Sequence, residues 1–255
     1  VNDWWRATDA RTRVLLGVAA ALVASGLFHL GVFVVDDRPW HGPVSWRKPF
    51  DFGLSFGVTL ATVVLVTERL RIDARRRAAL LTVFAVDCVV EVAGITVQAW
   101  RDQPSHLNTS TPFNTVVAMT LAVGGGVLIL VLGAFATVAL RGRVDGPSST
   151  VLAYRAGFAL LIAGLVSGAA MIARGSIARA HGDTAARMYA VTGFLKEFHG
   201  VTLHGVLVLP GLAWVLERSG ISEDRRLRWV RAAVGLYVAA ALAVLVLEIV
   251  QAVRG

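Results

Sequence analysis

The 255-residue chain holds a single cysteine, Cys88. One thiol excludes an internal disulfide and any CxxC metal or redox site. Charge is scarce too: 16% of the residues are Asp, Glu, Lys or Arg, where a soluble domain averages about 25%. No P-loop, HExxH or GxSxG occurs, nor a GxGxxG in a strand-helix setting. The common signatures of nucleotide, zinc-protease and serine-hydrolase chemistry are therefore missing. There is no DDxxD-type cluster, so no pyrophosphate held through magnesium is implied, and neither metal nor cofactor is expected. No aromatic-basic motif points to nucleic acid. No inverted repeat of the transporter type is visible. No small-residue cleavage site follows the first apolar run, which reads as a span and not a signal peptide.

What is present is hydrocarbon. Hydrophobic residues make up 56% of the chain, and the mean hydropathy is +0.65. A helix needs about 20 apolar residues to cross a bilayer. Seven stretches qualify, at 12–34, 49–67, 78–99, 114–140, 150–173, 196–217 and 229–252. The expected fold is all-α, an integral membrane seven-transmembrane-helix bundle forming one domain over 1–255. Segment 174–195 reads as an interfacial helix or structured loop. Gly124, Gly125 and Gly126 lie inside the fourth span and suggest a close helix contact.

The formal net charge of +8 is read as topology and lipid contact. With the N-terminus inside, the inner segments carry 16 of the 25 basic residues. They include Arg6, Arg11, Arg13, Arg69, Arg71, Arg75, Arg76, Arg77, Arg218, Arg225, Arg226, Arg228 and Arg231. The expected setting is a bacterial cytoplasmic membrane, N-terminus inside and C-terminus outside. Its lipids and a lipophilic small molecule are the expected partners; the oligomeric state is left open.

Polar residues inside spans carry the functional argument, because an acid at mid-bilayer is costly. Asp87, Glu91 and Gln98 in span three share one helix face at about 100° per residue. Two carboxyls so close cannot both ionise cheaply, so at least one keeps a proton, as a general acid in an apolar pocket requires. The alternative is an acid that only bonds a neighbouring helix. In span two, Lys48, Asp51 and Ser55 share a face behind Pro49, which a first helical turn tolerates. A capped, ion-paired helix start explains them equally well. Span six holds Lys196, Glu197, His199 and His204. Glu197 and His204 share a face, while His199 lies about 140° from His204. Pro210 frees a carbonyl one turn earlier and suggests a kink. Ser25 and His29 in span one, and Tyr237 and Glu248 in span seven, complete the set, Glu248 being read as interfacial.

Polar residues gather from mid-membrane outward. There they meet the connection "AWRDQPSHLNTSTPFN" at 99–114, read as a lid over an outward chamber. Trp40, Trp46, Phe50, Trp100 and Phe113 would wall that chamber. Gln98, His106, Asn108, Asn114, His199 and His204 would bind the polar head of a substrate.

Three blocks, "GPVSWRKPFDFGLSFG", "QAWRDQPSHLNTSTPFN" and "LKEFHGVTLHGVLVLPGLAWVL", resemble a bacterial family of multi-pass membrane proteins, mostly of unassigned function. The family pattern is roughly KPxxFxxS, then an acid leading to QxxRGxxSHFN, then HGxxxHAxQxLPxLAW. The match falls on Lys48, Pro49, Ser55, Glu91, Gln98, Arg101, Ser105, His106, Asn108, His199, Gly200, His204, Pro210 and Trp214. Leu107 replaces a usual Phe, Leu207 a usual Gln, and Glu197 is an added acid. In size, span number and buried acids the chain is also similar to integral membrane terpene cyclases of meroterpenoid pathways. That resemblance implies protonation of a prenyl chain, a carbocation cascade past aromatic walls, and loss of a proton to a base. Glu91 is then the first-choice acid, with Asp51, Glu197 and Asp87 as partners or alternates. Two other readings stand beside it. One is a b-type haem or quinone protein with axial ligands drawn from His29, His199 and His204. The other is a non-enzymatic receptor or small transporter.

Overall fold

The computed structural model describes residues 9–254. Arg6, counted above for orientation, and Gly255 lie outside the described residues. Among the described residues the chain is helical, and the only β pairing is an isolated bridge between Leu70 and Val144. The helices are α1 (Ala10–Val35), α2 (Arg47–Val66), α3 (Ala74–Trp100), α4 (Pro112–Leu140), α5 (Ser148–Ala180), α6 (Ala185–Thr192), α7 (Lys196–Arg218) and α8 (Glu223–Arg254). Single 3-10 turns follow α2 at Thr67–Arg69 and precede α7 at Gly193–Leu195. Seven helical segments are long and apolar enough to cross a membrane, the sixth running from α6 through α7. The chain is an all-α protein with seven membrane-length helices.

Two boundaries differ from the sequence reading. α2 begins at Arg47, ahead of Pro49. The missing proline N–H then falls in the first turn, where no intrahelical acceptor exists. α5 continues to Ala180, past the expected end at 173. Only the last part of 174–195 is a separate short helix, capped by Thr184, whose hydroxyl accepts from Arg187 N.

The helix ends show why the elements stop where they do. Asp9 caps α1, accepting from Thr12 N and Thr12 Oγ1. α3 ends in a Schellman turn: Asp102 N donates to Ala99 O and Gln103 N to Gln98 O, with Asp102 at φ 56. Glycine does the same after α4 and α5, where Gly142 has φ 72 and Gly182 φ 78. Two other caps come from a distant helix. Glu223 at the start of α8 accepts from Ser149 N and Oγ at the start of α5. Glu248 near the end of α8 accepts from Glu197 N at 2.7 Å and Phe198 N at 3.0 Å, closing the start of α7. Orphan N–H groups at a helix start need such acceptors where water is excluded. Glu248 is thus a buried cap.

The chain divides into two compact units. The first comprises the described part of Val1–Thr67 with Ala74–Val131; the second comprises Glu68–Asp73 with the described part of Leu132–Gly255. The first unit is organised on α1 against α2. A Cβ on Gly26 would lie 2.7 Å from Leu54 N, one on Gly53 2.7 Å from Gly26 N, and one on Gly57 2.7 Å from Ala19 O. At Gly26 and Gly53 the backbones meet with no side chain between them, and at Gly57 the Val23 side chain packs alongside the backbone, the close approach that small residues allow in lipid. Arg77 of α3 donates to Val64 O and Thr67 Oγ1 at the end of α2.

The second unit repeats the device with α5 and α7. A Cβ on Gly157 would meet Gly205 O at 2.9 Å, and one on Gly205 the Leu160 side chain at 2.7 Å. Leu160, Leu209, Ala213, Val230 and Ala241 form its core. Arg69 clasps Glu217 through both oxygens, and Asp145 N donates to Arg69 O. The triple glycine of α4 is not a backbone contact. Gly125 and Gly126 face open space, and Gly124 faces side chains.

Gly53→Ala should lower stability by about 1–3 kcal/mol, since backbone atoms cannot yield as a flexible side chain does. Gly17→Ala, where nothing lies within 4 Å, should be neutral or slightly stabilising. Thermal unfolding in detergent reads both, and equal shifts would refute the crossing.

Candidate functional site

Asp87 and Glu91 stand one turn apart on α3 and are both buried, at 7% and 3% exposure. They point at the same spot on α4. A Cβ added to Gly124 would lie 2.5 Å from Glu91 Oε1 and 2.8 Å from Asp87 Oδ1. The two carboxyls therefore occupy the room that a side chain at 124 would need. Asp87 Oδ2 has no hydrogen-bond partner. Among the described residues, no Lys or Arg forms an ion pair with either acid. Cys88, between them in sequence, is fully buried. Two anions this close, without a counter-ion in a dry medium, would repel strongly. A carboxyl that keeps its proton in such a place can serve as a proton donor.

Gln98, two turns further along α3, is 0% exposed, but its amide is committed to the connection that follows. Gln98 Nε2 donates to Asn114 Oδ1 at 3.0 Å, and Arg101 donates to both Gln98 Oε1 at 2.7 Å and Asn114 Oδ1 at 3.0 Å. Asn114 Nδ2 donates to Gln103 Oε1 and Ser110 Oγ. Asn108 donates to Pro104 O and accepts from Ser110 N and Oγ. The stretch 101–111 is thus a self-satisfied cap. Gln98, Asn108 and Asn114 spend their polar groups on its own structure, as buried amides must. Gln103 and Ser110 belong to this network, and sequence reasoning missed them because nothing in their spacing marks a partner.

His106 differs. Its Nδ1 meets Ser105 Oγ at 2.9 Å, and its ring lies against Phe52 at 5.9 Å. Burial, helped by the Lys48 ammonium, pushes its imidazole down to about 4. It is a neutral base at the rim of the membrane. Lys48 Nζ donates to Pro43 O. Asp51 is ion-paired with Arg47 at 2.6 Å, the ordinary helix-start reading, and it does not join Asp87 and Glu91.

The aromatic residues form a packed cluster. Trp46 is 1% exposed, with the Arg38 guanidinium 4.2 Å from its ring centre, His29 stacked on it and Trp100 edge-on at 4.8 Å. It is an anchor and leaves no open wall. Trp40 packs on Phe33 and Phe50. Trp100 and Phe113 keep exposed faces, with Arg101 lying 4.2 Å over Phe113. Both nitrogens of His29 are engaged: Nδ1 donates to Ser25 O at 2.7 Å, and Nε2 accepts from Trp100 Nε1 at 3.1 Å. That lone pair is not offered to a haem iron in this arrangement.

Glu197, His199 and His204 belong to the second unit. His199 Nδ1 donates to Gly164 O at 2.7 Å, and its ring fills the space above Gly168. His204 Nδ1 donates to its own helix at Gly200 O and is exposed, as is Glu197. Among the described residues, neither side chain has a polar partner on another helix. No family model, curated protein or solved structure matches the chain.

Gly124→Ala should displace the Glu91 carboxyl and lower the melting temperature by about 2–4 °C per kcal/mol lost. Gly125→Ala should leave it unchanged. Gly124→Ala should also alter the rate at which dicyclohexylcarbodiimide modifies Asp87 or Glu91, read by peptide mass spectrometry. Indifference of that rate to position 124 would sink the convergence. For His106 the folded value is depressed below the ordinary 6.5. Its contribution to stability is complete above pH 6.5 and is lost as pH falls toward 4, where the unfolded chain takes up a proton that the folded chain resists. His106→Asn should flatten the melting-temperature profile over that window relative to wild type.

Proposed function

We propose that the protein is an integral membrane enzyme that donates a proton to a lipophilic, isoprenoid-bearing substrate, a terpene or meroterpenoid cyclase of the proton-initiated kind. The carrying observation is the Asp87–Glu91 pair: buried, without a basic partner, and converging on the side-chain-free position 124. A structural acid is expected to have a donor. Those at Glu223 and Glu248 have two each, whereas Asp87 Oδ2 has none.

Glu91 is the donor, and Asp87 is the neighbour whose charge makes it costly for the pair to lose its last proton. The Glu91 O–H proton goes to a terminal alkene carbon, and the π pair becomes the new C–H bond. A tertiary carbocation is left, to be captured by internal alkenes as rings close. A base takes a proton from the final cation and a C=C bond forms, so the product is an isomer of the substrate. His106, neutral above about pH 4, is the proposed terminal base. The exposed faces of Trp100 and Phe113 can stabilise cationic charge near the outer end. The proposed setting is a bacterial cytoplasmic membrane with the N-terminus inside, supported by the arginine clusters at 69–77 and 218–231.

Membranes containing the protein should convert a prenylated indole, prenylated quinone or farnesylated alcohol into products of unchanged mass. Glu91→Gln should reduce turnover by about 100-fold or more, the scale of a lost general acid. Undiminished turnover in Glu91→Gln would remove the acid assignment. Absence of isomeric product from all three substrate classes would remove the cyclase reading.

A further inference from the structure

A groove of about 560 Å³ runs along the first unit between α1 and α3. Val14, Leu15 and Val18 form one wall, and Val86, Val89 and Val90 the other. Asp87 and Glu91 turn to a different face of α3, so this groove is separate from the site above. Its polar residues sit at one end. Arg11 is exposed there, and Thr82 donates its hydroxyl to Ala78 O of its own helix. Helices α1 and α3 run in the same direction, so their basic starts coincide at that end: Arg11 and Arg13 on one, Arg75, Arg76 and Arg77 on the other. At the start of α1 the carboxylate of Asp9 is engaged. Hydrogen bonds from Thr12 hold it below the usual range, and Arg77 contributes to that.

We propose that the groove binds one acyl chain of an anionic glycerophospholipid, with its phosphate-bearing headgroup over Arg11. The walls offer nothing that a peptide backbone could bond, and they match hydrocarbon. Fit to hydrocarbon does not by itself select one lipid from a bilayer of similar chains. Selection comes from the charged end, where each arginine near a membrane surface contributes to holding an anionic headgroup. The positive ends of both helix dipoles point the same way. The occupant is thereby an anionic lipid and not a neutral one.

The test uses the full chain in nanodiscs made from equal parts of phosphatidylglycerol and phosphatidylcholine, followed by native mass spectrometry of retained lipid. Wild-type protein should keep one phosphatidylglycerol in preference to phosphatidylcholine. Arg11→Gln should cut that preference about five-fold. Val86→Trp, which fills the groove, should abolish the retained lipid. Leu130→Trp, at an exposed apolar position outside the groove, should not. If Val86→Trp does not fold, Val89→Trp asks the same question. Equal retention of the two lipids by wild type overturns the proposal. So does a preference untouched by Arg11→Gln, or a retained mass that is not lipid.

Discussion

Within a bilayer, helices gain little from burying apolar side chains, because lipid tails are as apolar as the neighbouring helix. Close backbone contact is what remains, and both units of this protein are built on it. Gly26 and Gly53 let the backbones of α1 and α2 touch, and Gly157 does the same for α5 against α7, where Gly164 and Gly205 make room for the Leu203 and Leu160 side chains. Other features follow. The α1–α2 crossing brings His29 beside Trp46, and so fixes the aromatic anchor at that end. The α5–α7 crossing seats the His199 ring over Gly168 and gives its Nδ1 proton to Gly164 O.

The carboxylates sort by how they are neutralised. Glu223 and Glu248 are spent on helix starts. Asp51 and Glu217 are spent on arginines. Asp9 and Asp102 sit at helix termini. Among the described residues, the buried carboxylates are Asp87, Glu91 and Glu248; Glu248 has two donors, while Asp87 and Glu91 have neither a donor nor a cation, at the place where an uncompensated charge is most costly. The contrast within one molecule, and not the burial alone, singles out this pair. The fold leaves a side-chain-sized space at Gly124 for its carboxyls.

The connection after α3 shows what could be read in one dimension. Its richness in amide and hydroxyl groups was plain, and so was its position beyond the acids. Its partners were not, because Gln98 and Asn114 lie at opposite ends of the loop and meet only when it folds back. The amides that looked available to a substrate are consumed in holding the loop. His106, adjacent to them, is left with its ring against Phe52 and one nitrogen on Ser105. Glu248 is a similar case. Its place near the end of an apolar run suggested an interface, whereas its oxygens reach across to another helix start.

Apolar length and period were enough to determine the seven helices, their approximate ends, and the shared face of Asp87 and Glu91. Those properties depend on residues a few positions apart. Which glycines carry crossings, which acids are caps, and which pair is left uncompensated were decided by tertiary structure alone. Each depends on what another helix presents at the same depth. The triple glycine of α4 shows the limit: three identical residues in a row, of which one faces two carboxyls and two face open space. Helical rotation turns successive residues by about 100°, and only the neighbour on that side gives each one its role.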